Sequence, residues 1–344
     1  MAYISFQPKD NFKTLLYSGT GAEHAITGVG FRPDLVWTKR RNSTSDHHVH
    51  DAIRGATYKY QTNDAGTNNA DAQTLKSFDS DGFTLGTNTS SNASGGTYVS
   101  WNWKGANSTA SNSDGSITST VSANPTAGFS IVKWTGSGGN ATIGHGLGKA
   151  PKWIWVKSMA NSTWHMIYHV GTGNDSELGL NSNNAASGSS TAWQDTDPTS
   201  TVFYVAGGSG DGVNYSGDYT AYCWTDITGF SRFGKYYGNG NANGTFIHTG
   251  FKPAFVLAKY ASGGGNGNWM LYDDKRGFNE DNQFFHPNST DGESTSTHKV
   301  DLYANGFKWR ANSSETNTSA GLYIYIAFAK EPSVSSNNIP ATAR

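Results

Sequence analysis

The sequence predicts an all-β protein made of three tandem antiparallel β-sandwich modules of jelly-roll or lectin-like type, with an immunoglobulin-like sandwich as the alternative. Three observations support this prediction. Glycine accounts for 42 of 344 residues, aromatic residues for 13% and charged residues for 15%, a composition that favours pleated strands joined by polar turns. Patterns of helical period are nearly absent. A set of short apolar strands recurs three times in the same order, which indicates an internal repeat.

Each copy opens with a glycine–proline corner that leads directly into an apolar strand. Proline can begin a strand but cannot donate a hydrogen bond within one, which explains its position at the corner. A lysine follows six residues after each proline. The prolines are Pro33, Pro151 and Pro253, and the lysines are Lys39, Lys157 and Lys259.

A second matched strand follows the corner strand in every copy. It reads HHVH at residues 47–50, WHMIY at 164–168 and WMLY at 269–272. An Asp-x-x-Arg-Gly element comes next in the outer copies, at residues 51–55 and 273–277, and the middle copy lacks it.

The closing strand is the clearest match between the copies. It begins at Tyr98, Tyr219 and Tyr323, and the alternate residues that follow are mostly aromatic or β-branched. This period of two indicates a strand with one face toward a core. In the outer copies, Gly82 and Gly306 follow Asp and Asn before a phenylalanine, and such pairs provide the positive φ angles of tight hairpins.

The repeat predicts three modules and two connecting or terminal segments. We expect module 1 at residues 1–104, module 2 at 127–228 and module 3 at 229–332. Residues 105–126 are almost without apolar side chains, which favours a linker. The C-terminal tail, residues 333–344, is polar and should have no structure of its own.

Charge and cysteine content exclude several classes of function. Lys and Arg number 25 and Asp and Glu 26, for a net charge of -1, so we expect no nucleic-acid partner. The N-terminal sequence has no charged segment followed by an apolar run, and no stretch approaches 18 apolar residues, so we expect neither a signal peptide nor membrane insertion. Cys223 is the single cysteine, which excludes disulfides and multi-cysteine metal sites.

An ordered series of motifs runs through nearly the whole chain before the tail. It includes FQPKD at 6–10, GFRPD at 30–34, DSDGFTLG at 79–86, YVSWNWK at 98–104 and GFSIV at 128–132. This series resembles modules that recur in poorly characterised structural proteins of marine phages. The resemblance implies a virion component, commonly of tail fibre-like or other appendage proteins and assembled in the host cytoplasm, and it brings no catalytic residues with it.

Two clusters invite a metal interpretation, and each has a simpler alternative. His48 and His50 share one strand face and could bind a metal on a symmetry axis, but histidines without an acidic or cysteine partner favour an ordinary half-exposed strand. Asp79 and Asp81 have the oxygen ligands of part of a calcium loop. The loop pattern stops when Phe83 resumes the strand, so a turn is the favoured interpretation.

The remaining polar clusters give no coherent catalytic set. The carboxylates at residues 273–274 and 280–281 would suit glycoside hydrolysis only across a cleft of roughly 5–10 Å, and polar loops explain them equally well. The glycine runs at 207–210 and 263–265 lack the strand-to-helix context of a phosphate loop. No nucleophile elbow accompanies such a turn, and Cys223 is expected to be a small buried residue. We therefore expect no catalytic residue, no metal and no cofactor.

Five aromatic residues lie in segments that otherwise have the composition of loops. Beside Asn and Asp, such rings can stack on sugars while the amides bind hydroxyl groups. They can equally cover a core or seal a subunit contact, and we favour this second interpretation. These candidate glycan or partner contacts are Tyr58, Tyr60, Trp193, Tyr215 and Phe278.

Three functional hypotheses follow from the sequence. The first is a non-enzymatic structural protein of a virion, on a tail appendage or on the capsid surface. The second is a glycan-binding receptor module, and the third, a polysaccharide depolymerase, is disfavoured because no acid/base pair stands out. The expected partners are other virion proteins, further copies of the chain and, under the second hypothesis, a host surface glycan. A trimer is favoured among homo-oligomers because three-fold symmetry is common in phage fibres.

Overall fold

The computed structural model describes residues 6–188, 191–207, 213–261, 267–277, 279, 283–295 and 298–330. Strands hold 44% of the residues and helices 2%, and the strands form several antiparallel sheets. The prediction of an all-β fold is therefore confirmed. The tail at 333–344 lies outside the described residues. We keep the names modules 1, 2 and 3 for the ranges 1–104, 127–228 and 229–332, whose boundaries stay a prediction.

Module 1 contains one large and one small sheet. The large sheet has the spatial order β1 (Phe12–Ser18), β9 (Thr97–Trp103), β3 (Leu35–Arg40), β4 (His48–Asp51), β5 (Tyr58–Gln61) and β6 (Asn69–Ala70). The small sheet has the order β2 (His24–Thr27), β8 (Gly82–Leu85) and β7 (Leu75–Asp79). A 3-10 turn (Pro8–Asp10) precedes β1, and the short helix α1 (Thr89–Asn92) precedes β9.

Module 2 arranges its strands in the same order. Its large sheet has β12 (Phe129–Gly136), β19 (Gly217–Trp224), β14 (Trp153–Ser158), β15 (Met166–His169), β16 (Ser176–Gly179) and β17 (Ser187–Gly188). Its small sheet pairs β13 (Ala141–Gly144) with β18 (Val202–Val205).

Module 3 shows this order again. The large sheet has β20 (Ser231–Tyr237), β27 (Leu322–Ala329), β22 (Pro253–Tyr260), β23 (Met270–Asp273) and β24 (Phe284–Phe285). The small sheet has β21 (Phe246–His248), β26 (Gly306–Trp309) and β25 (Val300–Tyr303). The closing strands β9, β19 and β27 thus each lie between the first strand of their module and the strand that follows the corner proline.

The segment expected to be a linker differs from that expectation. Within residues 105–126, β10 (Ala110–Asn112) and β11 (Ser119–Asn124) pair with each other, and β11 pairs with β12. Main-chain hydrogen bonds to an existing edge strand stabilise such a segment without many apolar side chains. Val121 is nevertheless buried. The two strands therefore extend the large sheet of module 2.

One aromatic core is shared by all three large sheets. The Trp103 ring lies 6.0 Å from the Trp224 ring and 5.6 Å from the Phe328 ring, so the ends of the three closing strands meet. Trp37 of module 1 also lies 5.7 Å from Trp155 of module 2. The other face of each large sheet packs against a small sheet, as Val36 does with Phe83 in module 1. The closing strands are therefore buried on both faces, whereas the sequence indicated one.

The corner lysines join the modules into a closed ring. Each ammonium group donates to a carbonyl oxygen in the loop that follows the fifth large-sheet strand of another module. The contacts are Lys39 to Thr290 at 3.1 Å, Lys157 to Ala65 at 3.1 Å and Lys259 to Asn183 at 3.0 Å. Module 1 thus binds module 3, module 3 binds module 2, and module 2 binds module 1. Head-to-tail contacts that close after three units form a ring with a three-fold arrangement, here within a single chain.

Buried ion pairs reinforce two of the three junctions. The Arg54 guanidinium pairs with Asp51, and Arg276 pairs with Asp273 at 2.6 Å, with all four side chains inaccessible to solvent. A closing strand of the next module completes each site. The Tyr222 hydroxyl donates to Asp51 at 2.7 Å; Trp101 Nε1 donates to Asp273 at 3.1 Å.

The third junction explains why the middle copy lacks the Asp-x-x-Arg-Gly element. Ile326 stands at the position of Trp101 and Tyr222, three residues after the first tyrosine of the closing strand, and its side chain has no donor. His169 replaces the aspartate at the end of β15, and its Nε2 lies 3.2 Å from the Tyr325 carbonyl oxygen. A neutral histidine therefore fits where an unpaired carboxylate would be unfavourable.

Replacing Arg54 by Met should destabilise the protein strongly. The change leaves the Asp51 carboxylate buried without its cation, which costs about 3–5 kcal/mol of unfolding free energy. Lys76→Met is the matched control, because its partner Glu23 and Lys76 itself are both solvent-accessible and such pairs contribute at most about 1 kcal/mol. Denaturant unfolding of the three proteins measures this difference. Equal losses for the two variants would contradict the importance of the junction.

Candidate functional site

The structure places two of the five candidate aromatic contacts inside the protein. Tyr60 is fully buried, and the Arg54 guanidinium lies 3.7 Å from the centre of its ring. Trp193 is also buried, packs against Tyr168 and donates from Nε1 to the Ser176 carbonyl at 3.2 Å. Neither ring offers a face to a sugar, so both cover the core.

The other candidate aromatics have separate environments. Tyr58 is 39% exposed at the start of β5, two residues before the buried Tyr60. Tyr215 is half-buried before β19, and its main-chain N–H donates to the Tyr219 hydroxyl at 3.0 Å. Phe278 lies outside the described residues. The four candidate aromatics that the structure describes therefore do not form one recognisable site.

The histidine strand is buried, so the expectation of a half-exposed strand is wrong. His47 Nδ1 accepts a hydrogen bond from Trp37 Nε1 at 3.1 Å. His48 Nδ1 lies 3.1 Å from the Ser91 hydroxyl, and His50 Nδ1 lies 2.8 Å from the Ala56 carbonyl oxygen. Desolvation lowers the pKa of both His48 and His50 to about 3. In the part of the chain that the structure describes, no three His, Cys, Asp or Glu residues are grouped to hold a metal.

The carboxylates singled out in the sequence have structural partners. Asp81 lies in the turn between β7 and β8, as expected, and accepts hydrogen bonds from the main-chain N–H groups of Gly30 at 2.6 Å and Gly28 at 3.0 Å. These bonds lower its pKa. Asp274 pairs with Lys330 at 3.1 Å. Glu280 and Asp281 lie outside the described residues.

Cys223 is buried, and burial raises the pKa of its thiol.

A Ser–His–Glu cluster in module 3 escaped the sequence analysis. The Ser313 hydroxyl lies 2.5 Å from His298 Nδ1, and His298 Nε2 lies 3.3 Å from Glu315. These are the residue types of a nucleophilic triad. However, Ser313 is only 7% exposed, and its oxygen also accepts from the Glu315 main-chain N–H at 3.2 Å. Glu315 in turn accepts two hydrogen bonds from Asn268. The cluster therefore holds the loop before β27 in place.

An open polar cleft lies between modules 1 and 3. It has a volume of about 300 Å³ and is lined by Arg40, Asp46 and a set of hydroxyl side chains. Those hydroxyl residues are Thr44, Ser45, Thr89, Ser90 and Thr290. Pockets for small molecules are usually lined mainly by apolar side chains, so this cleft is the weaker candidate.

The strongest candidate is the outer surface of the small sheet of module 3. Strand pairing arranges six positions there in two rows, Phe246–Lys308–Asp301 and His248–Gly306–Tyr303. The intervening residues Ile247, Phe307 and Leu302 point into the core and are buried. We call the outer set, together with the neighbouring Arg310, the aromatic face.

Glycine at the centre of the aromatic face lets the two rings approach each other. A Cβ atom at Gly306 would lie 2.8 Å from Cζ of Phe246 and 2.1 Å from the Ile247 carbonyl oxygen, so no other residue fits. The Phe246 and Tyr303 rings lie 5.9 Å apart at an interplanar angle of 70°. They are 43% and 39% exposed. Two partly exposed rings in edge-to-face contact therefore lie side by side on this surface.

Charged groups surround the rings of the aromatic face. Asp301 accepts from the Tyr303 hydroxyl at 3.1 Å and from Arg310 Nε at 3.3 Å. Arg310 also reaches the Asn243 side-chain oxygen at 3.5 Å. Partial burial and the hydrogen bond to Asp301 raise the pKa of Tyr303, so its hydroxyl stays protonated at neutral pH.

Module 1 has no such surface at the same place in its small sheet. The corresponding rows are Ala25–Thr84–Ser77 and Thr27–Gly82–Asp79. The glycine is retained, whereas Ala25, Asp79 and Thr84 stand in place of Phe246, Tyr303 and Lys308. Since both small sheets cover a core, the fold requires the glycine but neither the rings nor the lysine. Sequence reasoning missed this site, because short strands do not reveal which of their aromatic residues face solvent.

Burial perturbs the three junction lysines. Desolvation lowers the pKa of Lys39 and Lys157 to about 8 and that of Lys259 to about 7. Their ammonium groups bind mainly carbonyl oxygens, as Lys259 does with Gly267 at 2.6 Å. In the unfolded chain a lysine has a pKa of about 10.4. Between these values the unfolded chain binds more protons, so the free energy of unfolding rises with pH.

We therefore expect the protein to be more stable at pH 9 than at pH 7. Lys259→Met should reduce this pH dependence, because it removes the junction lysine with the lowest pKa. Lys149→Met, a change at an exposed loop lysine, should leave it intact. Denaturant unfolding across this pH range measures the slope for each protein. A slope that Lys259→Met does not alter would contradict the assignment.

Comparisons with known proteins place the chain without giving its activity. No curated protein matches it, and no solved structure matches it. Residues 7–332 match the model of a family described as a domain of unknown function, DUF7483. That match spans all three modules and the segment between the first two. The chain therefore belongs to the DUF7483 family of domains of unknown function.

Proposed function

We propose that this chain is a non-enzymatic structural protein of a phage virion, located on a tail fibre or other appendage or on the capsid surface. The motif series from FQPKD at 6–10 to GFSIV at 128–132 supports the phage assignment. The ring of modules supports the structural role. Binding of a host surface glycan is a second candidate function, because the aromatic face carries exposed rings that module 1 lacks at the same place in its small sheet.

The observation that carries the structural role is that buried side chains with shifted pKa values bind main-chain atoms of a neighbouring module. Enzymes collect titratable groups with shifted pKa values in a cleft, where they meet substrate. Here such groups bind main-chain atoms across module junctions. His165, whose pKa burial holds well below its usual range, has its Nε2 3.0 Å from the Gln61 carbonyl oxygen. Lys259 binds Asn183 in the same way. Their chemistry is engaged in holding the modules together.

Assembly with other proteins is part of this proposal. The partners are other virion proteins and further copies of the chain, with a trimer favoured. The ring already satisfies its own junctions, so a homo-oligomer would form through surfaces outside them. Within the described residues, no helix is long and apolar enough to cross a membrane.

The chain should be present in purified phage particles at a fixed copy number. Antibody against the chain, used in immunogold electron microscopy, measures both its presence and its position. Labelling at the tail or on the capsid would support the proposal, whereas absence from intact particles would overturn it. Light scattering on the purified chain tests self-assembly separately, and a stable monomer would remove the homo-oligomer from the proposal.

The purified protein should release no reducing sugar from polysaccharide and should not hydrolyse activated esters. Ser313 is the sharpest test, since its hydroxyl has the one triad-like environment found among the described residues. Ser313→Ala should leave any background rate unchanged, and Ser314→Ala, at the adjacent exposed serine, is the matched control. Ester hydrolysis that only Ser313→Ala abolishes would establish an enzyme and contradict the proposal.

A further inference from the structure

We infer that the aromatic face of module 3 binds an acidic pyranose glycan. The face consists of Phe246, His248, Asp301, Tyr303, Gly306, Lys308 and Arg310. This inference goes beyond a structural role and does not depend on it, because a ligand site on this surface can exist whether or not the chain is part of a virion.

The two rings provide a surface for the apolar side of a sugar. Six large hydrophobic side chains are exposed in the described part of the chain: Leu16, Tyr58, Trp164, Tyr237, Phe246 and Tyr303. Among them, Phe246 and Tyr303 are the pair whose rings contact each other. An aromatic ring with a polar tip combines a large contact area with low rotamer entropy. The exposed parts of the two rings together offer an apolar surface against which one side of a pyranose ring can pack.

The groups beside the rings suit hydroxyl and carboxylate recognition. The Asp301 carboxylate has about four acceptor positions, and Tyr303 and Arg310 occupy two of them. The guanidinium of Arg310 has five donors in a fixed fork, of which Asp301 and Asn243 engage two. The remaining donors and acceptors can bind neighbouring hydroxyl groups of a sugar, or a carboxylate in bidentate fashion.

The charge balance of the face favours an acidic ligand. Lys308 and Arg310 are cationic and Asp301 is anionic, which leaves one positive charge in excess. Among the described residues, the Lys308 ammonium has no ion-pair or hydrogen-bond partner, although the strand register places it between Phe246 and Asp301. It is therefore free to bind a ligand carboxylate or sulfate beside the Phe246 ring.

A glycan fits this surface better than a protein partner. Stable protein interfaces bury about 800 Å² on each partner around an apolar centre. Here the apolar part is limited to two rings, and charged side chains flank them directly. This arrangement of small apolar area and dense hydrogen-bonding groups matches a ligand of a few sugar units.

The test uses the full chain and three oligosaccharide probes in isothermal titration calorimetry: oligogalacturonate, a heparin oligosaccharide and laminarihexaose. We expect binding to at least one acidic probe and weaker binding to the neutral one. Phe246→Ala and Tyr303→Ala should each weaken the binding about tenfold, which corresponds to about 1.4 kcal/mol. Lys308→Gln should reduce the preference for the acidic probe. Tyr58→Ala is the matched control, because Tyr58 is as exposed as Tyr303 but lies in module 1.

The outcomes separate this inference from its alternatives. Loss of binding in the two ring variants, with unchanged thermal unfolding and unchanged binding in Tyr58→Ala, supports it. The inference is overturned if no probe binds, if the ring variants bind as tightly as the wild type, or if the neutral probe binds as well as the acidic ones. A change of mass in light scattering for Phe246→Ala would instead assign the face to contacts between copies of the chain.

Discussion

The meeting of the three closing strands in one aromatic core is the contact on which the rest of the structure depends. Trp103, Trp224 and Phe328 lie at or next to the ends of these strands. The Trp103 ring lies 6.0 Å from the Trp224 ring and 5.6 Å from the Phe328 ring. Such rings bury large apolar areas, and the core that they begin joins buried residues of every module. Each large sheet must therefore be covered on both sides, by a small sheet on one and by the other modules on the other. That constraint determines where charge can lie, because any polar group between the modules is removed from water and needs a partner.

The junctions show how the chain satisfies this constraint with unequal copies. Two junctions contain an aspartate–arginine pair completed by a donor from the next closing strand, and the third contains a histidine beside a main-chain carbonyl. Replacement of the donor by Ile326 removes the need for the aspartate and for its arginine together. The last residue of β15 thus differs from the last residues of β4 and β23 because the residue that faces it, in the closing strand of another module, has no donor. Side chains in one buried network are coupled, because replacing one of them alone leaves its partner without a hydrogen bond.

Local patterns allowed the strand content, the corners and the hairpin turn at Asp81 to be predicted, since turn chemistry and period-two alternation are properties of short segments. The sequence also marked the junction residues, as the lysines after the prolines and the Asp-x-x-Arg-Gly element, without indicating their use. A period of two does not tell whether a buried face meets the same module or a different one, so the shared core could not be foreseen. Tyr60 lies in β5 and Trp193 in a turn, and both are buried, because contacts made far away in the sequence determine whether an aromatic residue in a polar segment is covered. The three-fold order that the sequence suggested for separate chains occurs within one chain, and further assembly stays a proposal.

Ring closure also explains where the copies can differ without loss of stability. Residues on the inner faces contact two modules at once, so a change there affects a core and a junction together. The outer faces of the small sheets contact neither, and surface substitutions away from special contacts usually change stability by less than about 0.5 kcal/mol. Module 1 has alanine, threonine and serine at positions where module 3 has Phe246, Lys308 and Asp301. Exposed rings do not stabilise such a surface, and water does not favour them. Module 1 lacks both rings on the same type of sheet, so the fold does not require them, and their exposure supports the proposal that they contact a ligand.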